Sequence, residues 1–337
     1  MTQRPSATNG MLLDPYKRRI NYLRISITDR CNLRCRYCMP EEGIPLISHE
    51  SLLTYEEILR IVRLFAIEGI SKVRITGGEP LVRKGMVSLV AQLAQIEGIN
   101  DLSLTTNGVL LKESAADLKR AGLKRVNISL DSLRRDRFCQ ITRRDDYERV
   151  WEGIVEALSV GLSPIKINMV AIQGLNDDEI EPFARLTLHL PLTVRYIEYM
   201  PSGNGEEWRE GDVLTIPQIK SRLEEMGRLI PIQGDQKDGP ALRFQFEGAV
   251  GEVGLIGAVS THFCADCNRL RLTPDGKIRT CLFSDEEIDL REILRKGGTD
   301  RDLEEKLYTA LQTKPERHLI NTHRFKKCQR NMSAIGG

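Results

Sequence analysis

The stretch Tyr22-Leu-Arg-Ile-Ser-Ile-Thr28, followed by Cys31-Asn-Leu-Arg-Cys35-Arg-Tyr-Cys38, joins an alternating run to three thiols within eight residues. Alternation with period two reads as a β-strand with one apolar face, here Leu23, Ile25 and Ile27. The thiols follow on a polar loop that ends at Pro40. A strand that delivers chemistry-bearing residues from its carboxyl end is the unit of an α/β fold.

Working outward, the unit repeats. Thr54 and Glu57 form a capping box that opens a helix to about residue 68. Strands are expected at 73–76, 102–106, 125–130, 165–171 and 193–199, with helices near 84–97, 112–121, 147–160 and 177–189 between them. Six strand–helix alternations call for parallel crossovers. The fold class is therefore α/β, an open or partial barrel of parallel strands; a closed eight-stranded barrel would need two more repeats. Strands buried on both faces should be apolar throughout. Here Arg24, Ser26 and Thr28, Arg74 and Thr76, Ser103 and Thr105, Asn127 and Ser129, and Lys166 and Asn168 occupy the second parity. A polar, basic lumen implies a ligand cavity rather than a packed core. After Pro201 the composition shifts. A Gly-rich linker at 202–207 precedes a helix near 217–227, a β-rich and Gly-rich stretch at 229–285, helices near 288–296 and 300–312, and a polar tail. The expected division is a flexible lead at 1–14, a barrel at 15–215 and a mixed α/β region at 216–337.

The formal net charge of +2 over 337 residues argues against a general nucleic-acid or membrane-surface binder. Six of the eight Cys fall in two clusters, which suits metal binding better than a disulfide framework; Cys139 and Cys328 stand apart. The first residues lack the apolar segment of a signal peptide, and no apolar run spans a bilayer, so a cytoplasmic location is expected.

The tight CxxxCxxC trio fits zinc poorly, because zinc pairs usually recur as CxxC with a distant second pair. Three thiolates can hold three irons of a four-iron cube and leave the fourth iron for a ligand from outside the chain. Gly77-Gly-Glu-Pro80 sits where a strand ends; its glycines let backbone approach a ligand, and Glu79 can accept from an ammonium. Arg24, Arg74, Lys166 and Arg195 lie on different strands around one lumen, a set that suits phosphates; ion pairs with Asp131 or Glu198 are the plainer reading. Cys264 and Cys267 are followed by two alternating runs about the turn Pro274-Asp-Gly276, a hairpin that folds Cys281 back towards them. With His262 these thiols would make a Cys₃His zinc site, an alternative that stands level with a second cluster. Arg269 and Arg271 share one face of the hairpin.

CxxxCxxC with Tyr37 before its last Cys resembles the signature of the radical S-adenosylmethionine (SAM) superfamily. Thr28-Asp-Arg-Cys-Asn-Leu-Arg-Cys35, Thr76-Gly-Gly-Glu-Pro-Leu-Val-Arg83, Leu104-Thr-Thr-Asn-Gly108, Ser129-Leu-Asp-Ser132, Asn268-Arg-Leu-Arg-Leu272 and the terminal Gly336-Gly337 further resemble the GTP 3′,8-cyclase family of molybdenum cofactor biosynthesis. The likeness runs from about Leu12 to Gly337. It implies an incomplete (βα)6 radical SAM barrel whose C-terminal extension carries a second iron–sulfur site. It also implies a lyase with two [4Fe-4S] clusters, on Cys31, Cys35 and Cys38 and on Cys264, Cys267 and Cys281. By the same likeness, Tyr37, Gly78, Ser129 and Met200 contact SAM. Arg24, Arg74, Thr105, Lys166, Arg195, Arg269, Leu270 and Arg271 contact GTP, and Gly336 and Gly337 reach the active site. The implied reaction takes hydrogen from C3′ of GTP and bonds C3′ to C8. The implied partners are an external electron donor and the next molybdopterin-pathway enzyme, with no nucleic acid and no membrane, the chain acting as a monomer or homodimer. A radical SAM enzyme that modifies a peptide, or a zinc-bearing protein without catalysis, are the competing readings.

Overall fold

The computed structural model describes residues 11–202, 208–233, 239–320, 322 and 325–336. Among these, twelve strands join one sheet: β1 Tyr22–Ser26, β2 Lys72–Thr76, β3 Asp101–Thr106, β4 Arg125–Ser129, β5 Ile165–Ala171, β6 Leu192–Glu198, β7 Leu229–Pro231, β8 Leu242–Phe246, β9 Glu252–Ile256, β10 Arg269–Leu272, β11 Lys277–Arg279 and β12 Ile288–Asp289. The helices are α1 Tyr55–Glu68, α2 Met86–Ala94, α3 Leu111–Arg120, α4 Arg135–Thr142, α5 Tyr147–Ser159, α6 Ile180–His189, α7 Ile216–Met226, α8 Arg291–Arg295, α9 Asp300–Gln312 and α10 Met332–Ile335. The sheet runs β12-β11-β10-β1-β2-β3-β4-β5-β6-β9-β8-β7. Strands β1 to β6 are parallel and in chain order, as right-handed crossovers require.

The C-terminal region continues this sheet at both edges. Strand β10 pairs parallel to β1, and β9 pairs parallel to β6. The outer strands β11 and β12, and β8 and β7, are antiparallel, which makes the extension mixed. The apolar parity does what alternation demands. Leu23, Ile25, Val73, Ile75, Leu104, Val126, Ile128, Ile167, Val194 and Leu270 are wholly buried in one core under the helices. The α1 capping box forms, with Glu57 N donating to Thr54 Oγ1 at 3.2 Å and Thr54 N to Glu57 Oε2 at 2.8 Å. Gly276 closes the β10–β11 hairpin at φ +83°, in the left-handed region that favours glycine.

Three segments differ from the sequence expectation. Helix α4 was hidden by its charged start, Arg135-Asp-Arg; it buries Phe138 and Ile141 and braces the Cys loop, accepting from Arg34 N and Arg36 N at 3.0 and 2.9 Å. Residues 11–14, expected in a flexible lead, alternate between surface and core: Met11 and Leu13 are exposed, Leu12 and Asp14 are buried, and Arg18 binds Asp14 at 2.5 Å and the Cys264 carbonyl at 2.8 Å. The expected tail holds α10, whose Ser333, Ala334 and Ile335 are buried. Most of the expected lead and linker, and Gly337, lie outside the described residues.

Candidate active site

The polar parity of the strands opens on one cavity, and both Cys triplets line it: Cys31, Cys35 and Cys38 on the loop after β1, and Cys264, Cys267 and Cys281 around the β10–β11 hairpin. The first loop is held by its own backbone, Cys38 N and Met39 N both donating to Cys35 O. Burial pushes the thiols of Cys31 and Cys38 up to about 11 and about 12, and that of Cys35 well above its ordinary value. Thiols held neutral by burial suit a group that brings its own positive charge, as iron does. Cys31 Sγ also accepts from Leu33 N at 3.4 Å and Asn107 Nδ2 at 3.8 Å.

The second triplet is electrostatically unlike the first. Burial raises Cys267, but Arg269 and Lys314 outweigh it and hold the thiol down to about 6. Lys314 is buried and donates to Thr280 O at 2.7 Å, Arg269 O at 2.9 Å and Cys267 Sγ at 3.5 Å. Its Nζ thus ties both strands of the hairpin to the thiol. Sequence reading missed Lys314, because it follows α9 with no motif around it. His262, the donor a zinc site would need, is exposed and packs edge-on against His318 at 5.4 Å. The histidine in the cavity wall is His318. Among the described residues, no three His, Cys, Asp or Glu side chains converge on a single-ion site. Two soft three-thiol sets spread over one cavity fit iron–sulfur cubes with an open iron.

The Gly77-Gly78 pair also has a physical reason within the chain. A Cβ on Gly78 would meet Arg30 O at 2.4 Å, and one on Gly77 would meet Thr28 O at 2.7 Å. The close approach is therefore made by the Cys loop itself, with Gly78 N donating to Thr28 O and Glu79 N to Arg30 O, each at 2.8 Å. Glu79 is likewise committed to the chain. Its carboxylate accepts from Asn107 N at 2.6 Å, Thr106 Oγ1 at 2.8 Å and Leu81 N at 3.0 Å, and burial raises it to about 7. Tyr37 Oη donates to Asp131 Oδ2 at 2.6 Å, and Asp131 also accepts from Val170 N at 2.9 Å. Burial holds Asp131 up at about 6. Tyr37, Gly78, Ser129 and Met200 all line the cavity.

So do Arg24, Arg74, Thr105, Arg195, Arg269 and Arg271. Lys166 is buried on the same parity but is not among the lining residues, and Leu270 points into the core. Among the described residues, Glu198 makes no ion pair with those arginines; its carboxylate accepts from Ile216 N, Val259 N and Ser260 N. Among the described residues, no carboxylate lies within ion-pair reach of Arg24, Arg74, Arg195 or Arg271. Burial and the neighbouring cations depress all four, Arg195 to about 9 and Arg271 to about 10. Buried Arg24 Nε, Arg195 Nε, Thr105 Oγ1 and Asn168 Oδ1 have no hydrogen-bond partner among the described residues. Such a set is complete only when an anion enters. Arg271 also donates to Gly336 O, and Ser26 Oγ to Ser333 O at 3.3 Å, so the C-terminal segment forms part of the wall.

Comparison with known proteins agrees with this geometry. The Radical SAM superfamily model matches residues 25–187, and the Molybdenum Cofactor Synthesis C model matches residues 192–320. The chain is 50% identical over 327 residues to the GTP 3′,8-cyclase of Heliobacterium modesticaldum, covering 97% of this chain and 100% of that one. It is 51% identical over 326 residues to that of Thermodesulfovibrio yellowstonii, covering 96% and 99%. Among solved structures, Streptococcus suis SuiB bound to S-adenosylmethionine shares the fold at TM-score 0.56 and 16% identity; the match covers 82% of this chain and 65% of SuiB. With about half its residues shared end to end with those relatives, the chain belongs to the GTP 3′,8-cyclase family of the radical SAM superfamily.

Proposed function

We propose that the cavity holds SAM and GTP together, SAM at the Cys31–Cys35–Cys38 site and the guanine of GTP at a second iron–sulfur site on Cys264, Cys267 and Cys281. The chain is a radical SAM lyase, and its reaction is the 3′,8-cyclisation of GTP. When bound, the first cluster and SAM supply the radical chemistry that removes hydrogen from C3′, so that C3′ bonds to C8. The residues of the chain bind and orient. Tyr37, Gly78, Ser129 and Met200 contact SAM. Arg24, Arg74, Arg195, Arg269 and Arg271 take the triphosphate, with Thr105 and Lys166 beside them, and Leu270 contributes through its backbone. By the family likeness, Gly336 and Gly337 reach the active site. An external electron donor and an enzyme that accepts the product complete the cycle.

The observation that carries this reading is the placement in one cavity, with both thiol triplets, of four guanidinium groups that have no carboxylate partner among the described residues. A zinc protein has no use for the first trio, and a peptide substrate does not call for so concentrated a positive charge. The test is anaerobic purification with iron, sulfide and zinc analysis, then SAM cleavage with and without GTP. The expected result is about eight irons per chain and GTP-dependent cleavage of SAM. Cys264→Ala with Cys267→Ala and Cys281→Ala should leave about four irons and intact SAM binding. Zinc in place of the second set of irons would remove the second cluster, and loaded protein indifferent to GTP would remove the substrate.

A further inference from the structure

We propose that Tyr22 is a phosphate-contacting residue of the triphosphate site, its hydroxyl donating a hydrogen bond to a phosphate oxygen of the substrate. The inference rests on the reading of the cavity as the GTP site and adds a group to it. Strand register supplies the placement. Tyr22 on β1 stands beside Arg269 of β10 and Lys72 of β2, and Arg24, two residues on, stands beside Arg271 and Arg74. Residues two apart share a face, so Tyr22 is the one uncharged side chain in two cross-strand rows that otherwise hold five cations. Its row opens β1, about 13 Å back along the strand from Ser26 at 3.3 Å per residue, on the side away from the first Cys loop.

The hydroxyl is the part that packing does not explain. The ring is 3% exposed and lies under Lys72 Nζ at 4.9 Å and Arg74 Cζ at 5.5 Å from its centroid. A phenylalanine ring would serve those cation–π contacts equally. Yet Tyr22 lines the cavity, and its Oη is buried and has no hydrogen-bond partner among the described residues. An orphaned hydroxyl in a dry site costs free energy unless something completes it. The neighbours in its two rows are all donors. The nearby carboxylate, Asp101, is taken by Arg125 at 2.5 Å and Lys72 at 3.3 Å. The missing partner is therefore an acceptor brought by the ligand, and the ligand that five surrounding cations select is a polyanion. Burial raises the phenol, but Arg74, Arg24 and Lys72 outweigh it and lower it, which makes the hydroxyl a stronger donor.

Tyr22→Phe tests this, because it keeps the ring and removes only the oxygen. GTP affinity would be measured by anaerobic calorimetry on the cluster-loaded full chain, together with inorganic tripolyphosphate and SAM. GTP and tripolyphosphate should each weaken about tenfold or more, the loss expected for one hydrogen bond to a charged acceptor, while SAM affinity stays within about twofold. Unchanged GTP affinity in the variant would overturn the inference and leave the GTP reading intact. A loss for GTP without one for tripolyphosphate would move the hydroxyl away from phosphate and also overturn it. A parent chain that binds neither would sink the substrate reading, and this contact with it.

Discussion

Replacing Arg330 with alanine should release the C-terminal segment from the cavity wall. The Arg330 guanidinium meets Asp275 with Nη1–Oδ1 at 2.8 Å and Nη2–Oδ2 at 3.1 Å. It also meets Glu287, with Nε–Oε1 at 2.6 Å and Nη2–Oε2 at 2.8 Å. These contacts fasten the segment that leads into α10 to the turn of the β10–β11 hairpin, at Asp275, and to the loop before β12, at Glu287. The side chains are 17%, 14% and 15% exposed, between the surface case, worth about 0–1 kcal/mol, and the buried case, where breaking a pair costs about 3–5 kcal/mol. Glu287 keeps Arg279 at 2.7 Å, whereas Asp275 loses its only ion-pair partner among the described residues. About 2–3 kcal/mol follows, or a docking constant reduced about 30- to 150-fold. Cys328 reports it directly, being 4% exposed in the same segment, with Arg279 Nη2 at 3.6 Å from its sulfur. The assay is maleimide labelling of cluster-loaded protein with peptide mapping of Cys328. Labelling should accelerate about 30-fold or more, and Arg330→Asp with Asp275→Arg should restore part of the protection. Burial raises Asp275 and Glu287, but Arg330, together with Thr273 at Asp275 and Arg279 at Glu287, outweighs it and holds both below their usual values. A depressed carboxylate contributes stability that is present above its unfolded pKa and is lost as pH falls through its folded one. Protection of Cys328 should therefore persist at about pH 5 and fail only below about pH 4. Unchanged labelling of Arg330→Ala would refute the latch.

Gly78→Ala should be far more damaging than an exposed Gly→Ala change, because the new Cβ meets the Arg30 carbonyl carbon and oxygen, backbone that cannot swing aside. A loss of about 1–3 kcal/mol and reduced iron at the first site are expected by thermal unfolding and iron assay; a variant that loads fully would show that the loop yields. Lys314→Met removes the donor shared by Thr280 O, Arg269 O and Cys267 Sγ. Iron-free protein should lose about 2–4 kcal/mol in denaturant titration, and equal stability would mean that the hairpin carbonyls find other donors.

Much of this architecture was legible because period-two alternation fixes which side chains face together. Once Leu23, Ile25 and Ile27 are placed in the core, Tyr22, Arg24 and Ser26 must face the lumen, and the same parity brings Arg74 and Thr105 there. Parity does not report depth. Lys166 has the right parity and is buried, yet it does not line the cavity. Nor does it report what a polar group is bonded to. Glu79 looked free to accept from a ligand, but three donors from the chain already converge on it. Helix α4 and the docked tail were hidden for a related reason: their buried faces are only two or three residues wide, too short to leave a periodic signal amid Arg and Asp. Lys314 had no signal at all, since two of its three partners are backbone carbonyls that any sequence supplies and the third, Cys267, lies far from it in the chain.

The sheet topology explains how two Cys triplets far apart in the sequence come to line one cavity. Had the C-terminal region folded as a detached domain, a linker would set the spacing between the thiol triplets. Instead β10 is hydrogen-bonded to β1, with Arg271 beside Arg24, and β1 leads directly into the first Cys loop. The second triplet flanks β10 itself, at Cys267 before it and Cys281 just past its partner strand. The two sites are thus separated by strand geometry, which is rigid, rather than by loop geometry, which is not. Under the proposed binding mode, a substrate held by its base at one site and by its phosphates along the arginine rows has its ribose position determined between them. That restriction is what intramolecular reaction requires, since a radical with a choice of hydrogens reacts with the one held in reach. The latch at Arg330 extends the same logic to the tail, tying it to the turn of the strand pair that carries the second triplet.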